Sequence, residues 1–454
     1  MSKKILMFIA AVLLVGMSIP AFAAVENVKV GGDITIRGIY RTDYDFTKNS
    51  TQAQGARDNV DYLMTTTRIY VTSELTDNVA AVIRLLNERD WNQETAADTE
   101  IALDLAYIKL SDMFAPGLSA TIGRQEILLG KGLMVGSRNP IGVLGVITAQ
   151  DYNARKAFDA VRLDYALSAI PLTLTGALAK INERTNVAAA PAAGDRVGDT
   201  SLSVINANYQ VPVADAEVEG YFINQSVSHT TKNTANVWNI NTFGLRGSHN
   251  IAAVPGLSYQ GELAFQSGKT NVLFPLVTGT NVKAQGSLMD GGVNYAFQNI
   301  AWIPKVGVNY SLYSGDDRVA DAKNKGWIVL YPDGLADKMG AIASVIDADP
   351  NVPGIQLLRN NPQILKLSAS VQPTEKLGVN LAWFNSKRQK STAAADPGLS
   401  KDIGDEIDLG LNYAYSEDVA MGLLIGYLQP GKAVKPLLNS TDAMQLVGTV
   451  AVSF

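Results

Sequence analysis

From residue 28 onward, apolar and polar positions alternate with a period of two, stretch after stretch. In residues 443–454, Met444, Leu446, Val450, Val452 and Phe454 share one face, with Gly448 the gap in the row. Gln445, Thr449 and Ser453 share the other face with Ala443, Val447 and Ala451. Successive side chains of a strand point to opposite sides, so this pattern predicts a strand with one apolar face. Residues 28–41 repeat it, with Val28, Val30, Ile34, Ile36 and Tyr40 against Asp33, Thr35, Arg37 and Arg41. In the next strand, Ile69, Val71 and Leu75 oppose Arg68, Tyr70, Thr72 and Glu74. Late rows read the same way: Leu377, Val379, Leu381 and Trp383, then Ile407, Leu409, Leu411, Tyr413 and Tyr415.

The strands are joined by short and long connections in strict alternation. Short turns fall near residues 76–78, 114–117, 168–171, 212–216, 251–256, 298–304, 372–376 and 416–418. Long polar connections fall near 46–59, 90–100, 130–156, 184–199, 228–236, 267–284, 314–363, 387–403 and 429–441. That layout predicts an all-β fold: a transmembrane, up-and-down antiparallel β-barrel of about 18 strands, with turns on the periplasmic side and loops outside. A periplasmic β-sandwich shares the strand alternation but does not require the alternation of connections.

The N-terminus sharpens this picture. Lys3 and Lys4 precede an apolar run from Ile5 to Val15, and Pro20 precedes Ala21-Phe22-Ala23. This is the pattern of a secretory signal peptide over residues 1–23, with the barrel occupying 24–454. The destination is the outer membrane of a Gram-negative-type bacterium. There the outward rows are expected to meet outer-membrane lipid, and the terminal Phe454 resembles the C-terminal signal that barrel-assembly machinery recognises. No run of eighteen apolar residues follows residue 23, so helical spans are not expected. The chain has no cysteine, which excludes a disulfide-stapled scaffold and thiolate metal sites. Its formal charge of −5 argues against nucleic acid as partner.

Chemistry then belongs on the inward face. By parity that face holds Arg37, Arg68, Arg84 and Arg162 early, and Arg246 and Lys366 late. Arg124 and Glu126 are candidates, although Ile122 lies on the same side of their strand. Asp33, Glu74, Glu88, Asp104, Asp164, Glu219, Glu262, Asp290, Glu406 and Asp408 are inward acids. Two readings stay open. In one, the arginines of the first six strands form a basic ladder facing an acidic wall, which selects solutes. In the other, paired charges solvate a wide lumen and fix its shape. The connection 314–363 either folds into the lumen or lies on the surface, and its stretch Met339 to Ile346 is apolar enough to pack. Asp316, Asp317, Asp321 and Asp333 lack the spacing of a calcium loop. No cofactor or metal is predicted. The two histidines, His229 and His249, fall at opposite ends of the barrel, which speaks against a Ser-His-acid hydrolase. A surface receptor or adhesin using the loops is the other alternative.

Several motifs carry a family resemblance. Gly123-Arg124-Gln125-Glu126 is followed by Gly130, Arg155 and Phe158-Asp159-Ala160-Val161-Arg162-Leu163. Later come Ser314-Gly315-Asp316-Asp317, Trp327, Tyr331-Pro332 and Gly404-Asp405-Glu406-Ile407-Asp408-Leu409. Together they resemble the alginate-export family of outer-membrane channels, over most of the mature chain. The resemblance implies an eighteen-stranded barrel with an arginine-rich lumen that passes an anionic polysaccharide. It also implies pore roles for Arg124, Arg155 and Arg162. The sequence departs from the family where Leu128-Leu129-Gly130-Lys131-Gly132-Leu133 replaces an aromatic, Gly-Asp and an arginine. The inward acids outnumber the inward bases, which speaks against alginate itself. The expected function is a porin-like channel for hydrophilic small solutes or polysaccharide, by diffusion or export.

Overall fold

The computed structural model describes residues 27–44, 46, 59–91, 101–136, 157–182, 200–212, 214–227, 238–273, 277–316, 322–332, 338–348, 361–390, 400–434 and 441–454. The signal-peptide stretch lies outside these residues. The strands of the first half are β1 (Asn27–Thr42), β2 (Asn59–Thr76), β3 (Val79–Asp90), β4 (Ala102–Leu110), β5 (Leu118–Gln125), β6 (Phe158–Ala166), β7 (Leu172–Asn182), β8 (Thr200–Val211), β9 (Asp215–Val227) and β10 (Trp238–Asn250). Those of the second half are β11 (Leu257–Leu273), β12 (Val277–Ala284), β13 (Ser287–Ala296), β14 (Lys305–Tyr313), β15 (Lys323–Asn324), β16 (Pro362–Thr374), β17 (Leu377–Arg388), β18 (Asp402–Ala414), β19 (Val419–Pro430) and β20 (Ala443–Ser453). Among the described residues, a short helix, α1 (Ala341–Ala348), lies in the connection between β15 and β16.

Each stave pairs antiparallel with the next, and β20 returns to β1 in register from Asp33↔Ser453 to Thr42↔Met444. The result is a closed barrel of 18 antiparallel strands. β12 and β15 are not staves. β12 pairs with the upper part of β11, and the two residues of β15 run parallel to β12 at the rim. Closure matters because a bilayer offers no water to an unpaired backbone N–H or C=O. The short connections join β2 to β3, β4 to β5, and so on to β18 and β19, as the turn chemistry predicts.

Side-chain parity follows the sequence pattern. In β6 the odd positions Val161, Leu163 and Tyr165 are exposed, while Phe158 and Ala160 are buried. Register aligns Ile108, Ile122, Val161 and Leu178 of four adjacent strands in one outward row. Large apolar side chains exposed in such rows are the face that meets hydrocarbon.

Candidate functional site: the lumen and its inward loops

The inner wall carries charges in pairs, set by cross-strand register. Asp33 stands opposite Arg68, and Arg68 Nε donates to Asp33 Oδ1 at 3.0 Å while the Tyr70 hydroxyl donates to the same carboxylate. A bulge in β4 turns Asp104 to the lumen beside Leu105. There Arg84 Nε donates to Asp104 Oδ2 at 2.5 Å and Arg84 Nη2 to Glu126 Oε1 at 2.5 Å. Arg162 lies 2.8 Å from Asp164, which also accepts from Thr175 Oγ1 at 2.6 Å. Arg246 binds Glu217 at 2.7 Å and Glu219 at 3.0 Å. These arginines therefore meet carboxylates on their own strand, on an adjacent strand or, for Glu126, just after β5, rather than facing an acidic wall across the lumen. Register also runs Glu219, Arg246, Glu262 and Asp290 into a single row, in which one cation stands among three acids.

Two segments that follow strands turn inward onto this wall. The first, residues 126–136, follows β5. Ile127, Leu129, Leu133, Met134 and Val135 are buried against Ala160, Ala177, Ala179, Leu202 and Val204 of β6 to β8. Those small or apolar residues occupy inward positions, so the wall there is a seat for a loop rather than a water-facing surface. Gly130 donates its N–H to Glu219 Oε1 at 3.2 Å.

The second segment, described over residues 322–332 and 338–348, belongs to the connection between β14 and β16. Gln266 holds Ile328 as a strand neighbour would, accepting from its N–H at 2.8 Å and donating to its carbonyl at 2.7 Å. Tyr331 packs edge-on against Phe158, with centroids 5.7 Å apart. The two segments touch: Tyr331 N–H donates to Met134 O at 3.0 Å, and Gly136 N–H to Tyr331 O at 2.9 Å. Lys338 Nζ then reaches Asp290 Oδ1 at 2.7 Å, adding a cation to the acid-rich row.

The helix α1 completes the arrangement. The first N–H groups of a helix have no partner within it, and its N-terminus carries partial positive charge. Here β18 supplies the acceptors. Glu406 accepts from Ile342 N–H at 2.6 Å and Ala343 N–H at 2.9 Å, and Asp408 accepts from Ala341 N–H at 2.9 Å. Met339, Ile342 and Ala343 are buried among Tyr44, Phe46, Ile364, Phe384, Ile403 and Leu428. The connection expected either inside or outside thus lies against the inner wall over its described residues. Glu406 and Asp408 hold a helix.

The other sequence candidates divide. Arg37 Nη2 approaches Met64 Sδ at 3.3 Å. Lys366 Nζ sits 5.3 Å from the Phe384 ring centroid. Lys366 lines a cavity of about 560 Å³ with Ala341 and Asp408, and a second cavity of about 330 Å³ is lined by Lys131, Glu217, Arg246 and His249. Arg155, His229, Asp317, Asp321 and Asp333 lie outside the described residues. Asp316 is buried and accepts from Lys325 N–H at 3.0 Å. Arg124 is a correction. It stands in register with Ala106, Asp159 and Lys180, the row that continues outward-facing Ile83, and it binds Asp159 at 3.2 Å. Its parity is that of Ile122, so it faces away from the lumen near the extracellular end.

Sequence reasoning missed the seats of the loops. Inward apolar runs such as Ala177-x-Ala179 and Leu202-x-Val204 were the available signal, since a strand apolar on both faces is buried on both.

Comparison with known proteins agrees with this architecture. The family model described as alginate export matches residues 28–445. No curated protein sequence matches the chain. Among solved structures, Pseudomonas aeruginosa OpdO is similar at a TM-score of 0.59 and 13% identity, over 95% of this chain and 98% of that one. Pseudomonas aeruginosa OccK2 (OpdF), solved in complex with glucuronate, is similar at 0.56 and 12%, over 94% and 98%. A BenF-like porin from Pseudomonas fluorescens Pf-5 is similar at 0.56 and 11%, over 95% and 100%.

Proposed function

Because the chain belongs to the alginate export family, we propose that it is a bacterial outer-membrane channel for diffusion of hydrophilic, sugar-sized solutes past two inward loops. The observation that carries this reading is the junction of the loops on the inner wall, where Met134 and Gly136 bond Tyr331. A barrel of 18 strands is wide enough for an aqueous path. Loops fastened across part of that path reduce it to small solutes or a single extended chain. Passage needs no energy source in the protein: the wet interior removes the bilayer's barrier to polar molecules, and polar side chains replace part of their hydration.

The experiment is liposome swelling with neutral sugars of increasing length. Monosaccharides and disaccharides are expected to enter quickly, with a steep fall for longer oligomers. Absence of swelling with any sugar overturns the channel, and equal rates at all lengths overturn the constriction.

An anionic sugar is the second reading. The family description and the glucuronate in OccK2 support it. Arg68 and Arg162 support it too, since they keep 29% and 33% of their side chains exposed while paired. Replacing Arg37, Arg68 and Arg162 with Gln is then expected to shift the reversal potential in a salt gradient toward cation preference. No shift assigns these arginines to wall structure alone.

A further inference from the structure

Five neutral polar side chains line the cavity of about 560 Å³ beneath α1: Ser258, Asn294, Ser368, Ser370 and Asn380. Register sets Ser258, Asn294, Gly307 and Ser368 in one row across β11, β13, β14 and β16. Two positions nearer the periplasmic turns, Ser370 stands opposite Asn380. Their parity along the strands is that of Glu262, Asp290, Ile364 and Phe384, which are buried on the inner face. The helix forms the upper end. Ala341 lines the cavity, and so does Asp408, which accepts the Ala341 N–H. The cavity therefore lies on the periplasmic side of the helix.

These groups differ from the charged wall around them. There arginines and carboxylates bind one another. Among the described residues, the side chains of Ser258, Asn294, Ser368, Ser370 and Asn380 make no hydrogen bond to another protein group. Each of them can both donate and accept. The row is also shaped to converge. A β-carbon added at Gly307 would sit 2.4 Å from Asn294 Oδ1 and 2.8 Å from Ser368 Oγ. The bare glycine thus lets an amide and a hydroxyl lean over one point of the wall. A sugar hydroxyl matches such groups because it too donates and accepts, whereas a carboxylate only accepts. Lys366 and Asp408 place one charge of each sign at the upper end. Lys305, opposite Ser370 at the lower rim, is exposed to water and screened by salt.

We infer that this cavity is a binding subsite for uncharged, hydroxyl-rich sugars on the periplasmic side of the narrowed path. The inference rests on the channel reading above and adds the chemistry of one station along it. The volume falls within the about 300–1,000 Å³ of small-molecule sites. A few neutral groups that exchange water for sugar hydroxyls hold a solute weakly. A channel needs that weakness, because a solute must leave as readily as it enters. Since every group both donates and accepts, the subsite tolerates different ring stereochemistry.

The test is single-channel recording of the full mature barrel with millimolar maltotriose, a neutral probe. Brief current blockades are expected, and trigalacturonate, an anionic probe of the same length, is expected to dwell for a shorter time. Changing three of the lining residues together (N294A, S368A, N380A) is expected to shorten the maltotriose dwell time by about tenfold, since each change removes a hydrogen bond. Gly307→Ala deletes no polar group and is expected to shorten it too, by spreading Asn294 from Ser368. Thr449→Val, on β20 outside the cavity, is expected to leave it unchanged. A heat-modifiable gel shift confirms that each variant is folded. Open steps without blockades, an unchanged dwell time in the triple variant, equal shortening by Thr449→Val, or a longer dwell of trigalacturonate overturns the subsite while the channel stands. Absence of any steps overturns the channel instead. Saturation-transfer NMR of maltotriose on the barrel in detergent then decides the subsite, through the same comparison of wild type with the triple variant.

Discussion

Gly340 lies directly over Glu406: a β-carbon added at Gly340 would sit 2.4 Å from the Glu406 Oε2 atom. Its φ of +100° is also one that side-chain-bearing residues rarely adopt. The close approach is what lets Ala341, Ile342 and Ala343 deliver their N–H groups to β18. Gly340→Val is therefore expected to lift α1 from its seat, with about 1–3 kcal/mol from the strained φ alone. Single-channel recording is expected to show a larger or noisier open level than wild type, and an unchanged level would show that α1 does not narrow the path.

Gly130→Ala makes a graded comparison. Its φ is +53°, and an added β-carbon would meet Arg246 Cδ at 2.8 Å and Glu219 Oε2 at 3.0 Å. Both contacts are ends of flexible side chains that can shift. The variant is expected to raise conductance less than Gly340→Val, and the order of the two conductances checks this.

Glu406→Ala removes the acceptor of two backbone N–H groups. A hydrogen bond of this kind contributes about 0.5–1.5 kcal/mol. Opening of the first turn of α1 is then expected to become easier by about tenfold or more. Amide exchange at Ile342 and Ala343, measured by hydrogen–deuterium mass spectrometry, is the readout.

Arg84→Ala leaves Asp104, which is 0% exposed, without the cation at 2.5 Å. Stranding a buried charge costs about 3–5 kcal/mol, whereas replacing both members of such a pair with apolar groups is often nearly neutral. Arg84→Ala is expected to lower the unfolding temperature seen by gel shift, and the Arg84→Met, Asp104→Leu double variant to recover most of the loss. A double variant as unstable as the single one would show that the pair itself stabilises the wall.

Leu245 is 57% exposed in mid-strand on the lipid face. Two positions below Phe243, Leu245 lies between the upper interface and the midplane, so Leu245→Arg is expected to destabilise the barrel by about 1–3 kcal/mol, less than the about 2–4 kcal/mol of a cation at the midplane itself. Urea unfolding from lipid vesicles measures it, and a change below about 1 kcal/mol would place this row nearer an interface than mid-bilayer.

The outer face of the barrel was legible in the sequence because it obeys one rule. Lipid accepts only apolar rows, so Val161, Leu163, Leu381 and Ile407 announce their parity. The inner face obeys two rules at once. Where water meets the wall, inward positions are polar, as at Arg68 and Asp164. Where a loop meets it, they are small or apolar, as at Ala177 and Val204, and parity alone does not separate the two cases. Register pairing was hidden for the same reason: Asp33 and Arg68 are 35 residues apart, and only the β1–β2 alignment sets them face to face. Arg124 misled because its strand carries Gly123 at φ +123° and a mixed pattern on both sides.

The most direct test is planar-bilayer recording of wild type beside the Glu406→Ala, Asp408→Ala double variant, which removes all three acceptors of α1. Stepwise wild-type conductance and a larger step in the double variant are the predicted result. A wild type without steps, or a double variant with the same step, would contradict a channel narrowed by a loop held on its own wall.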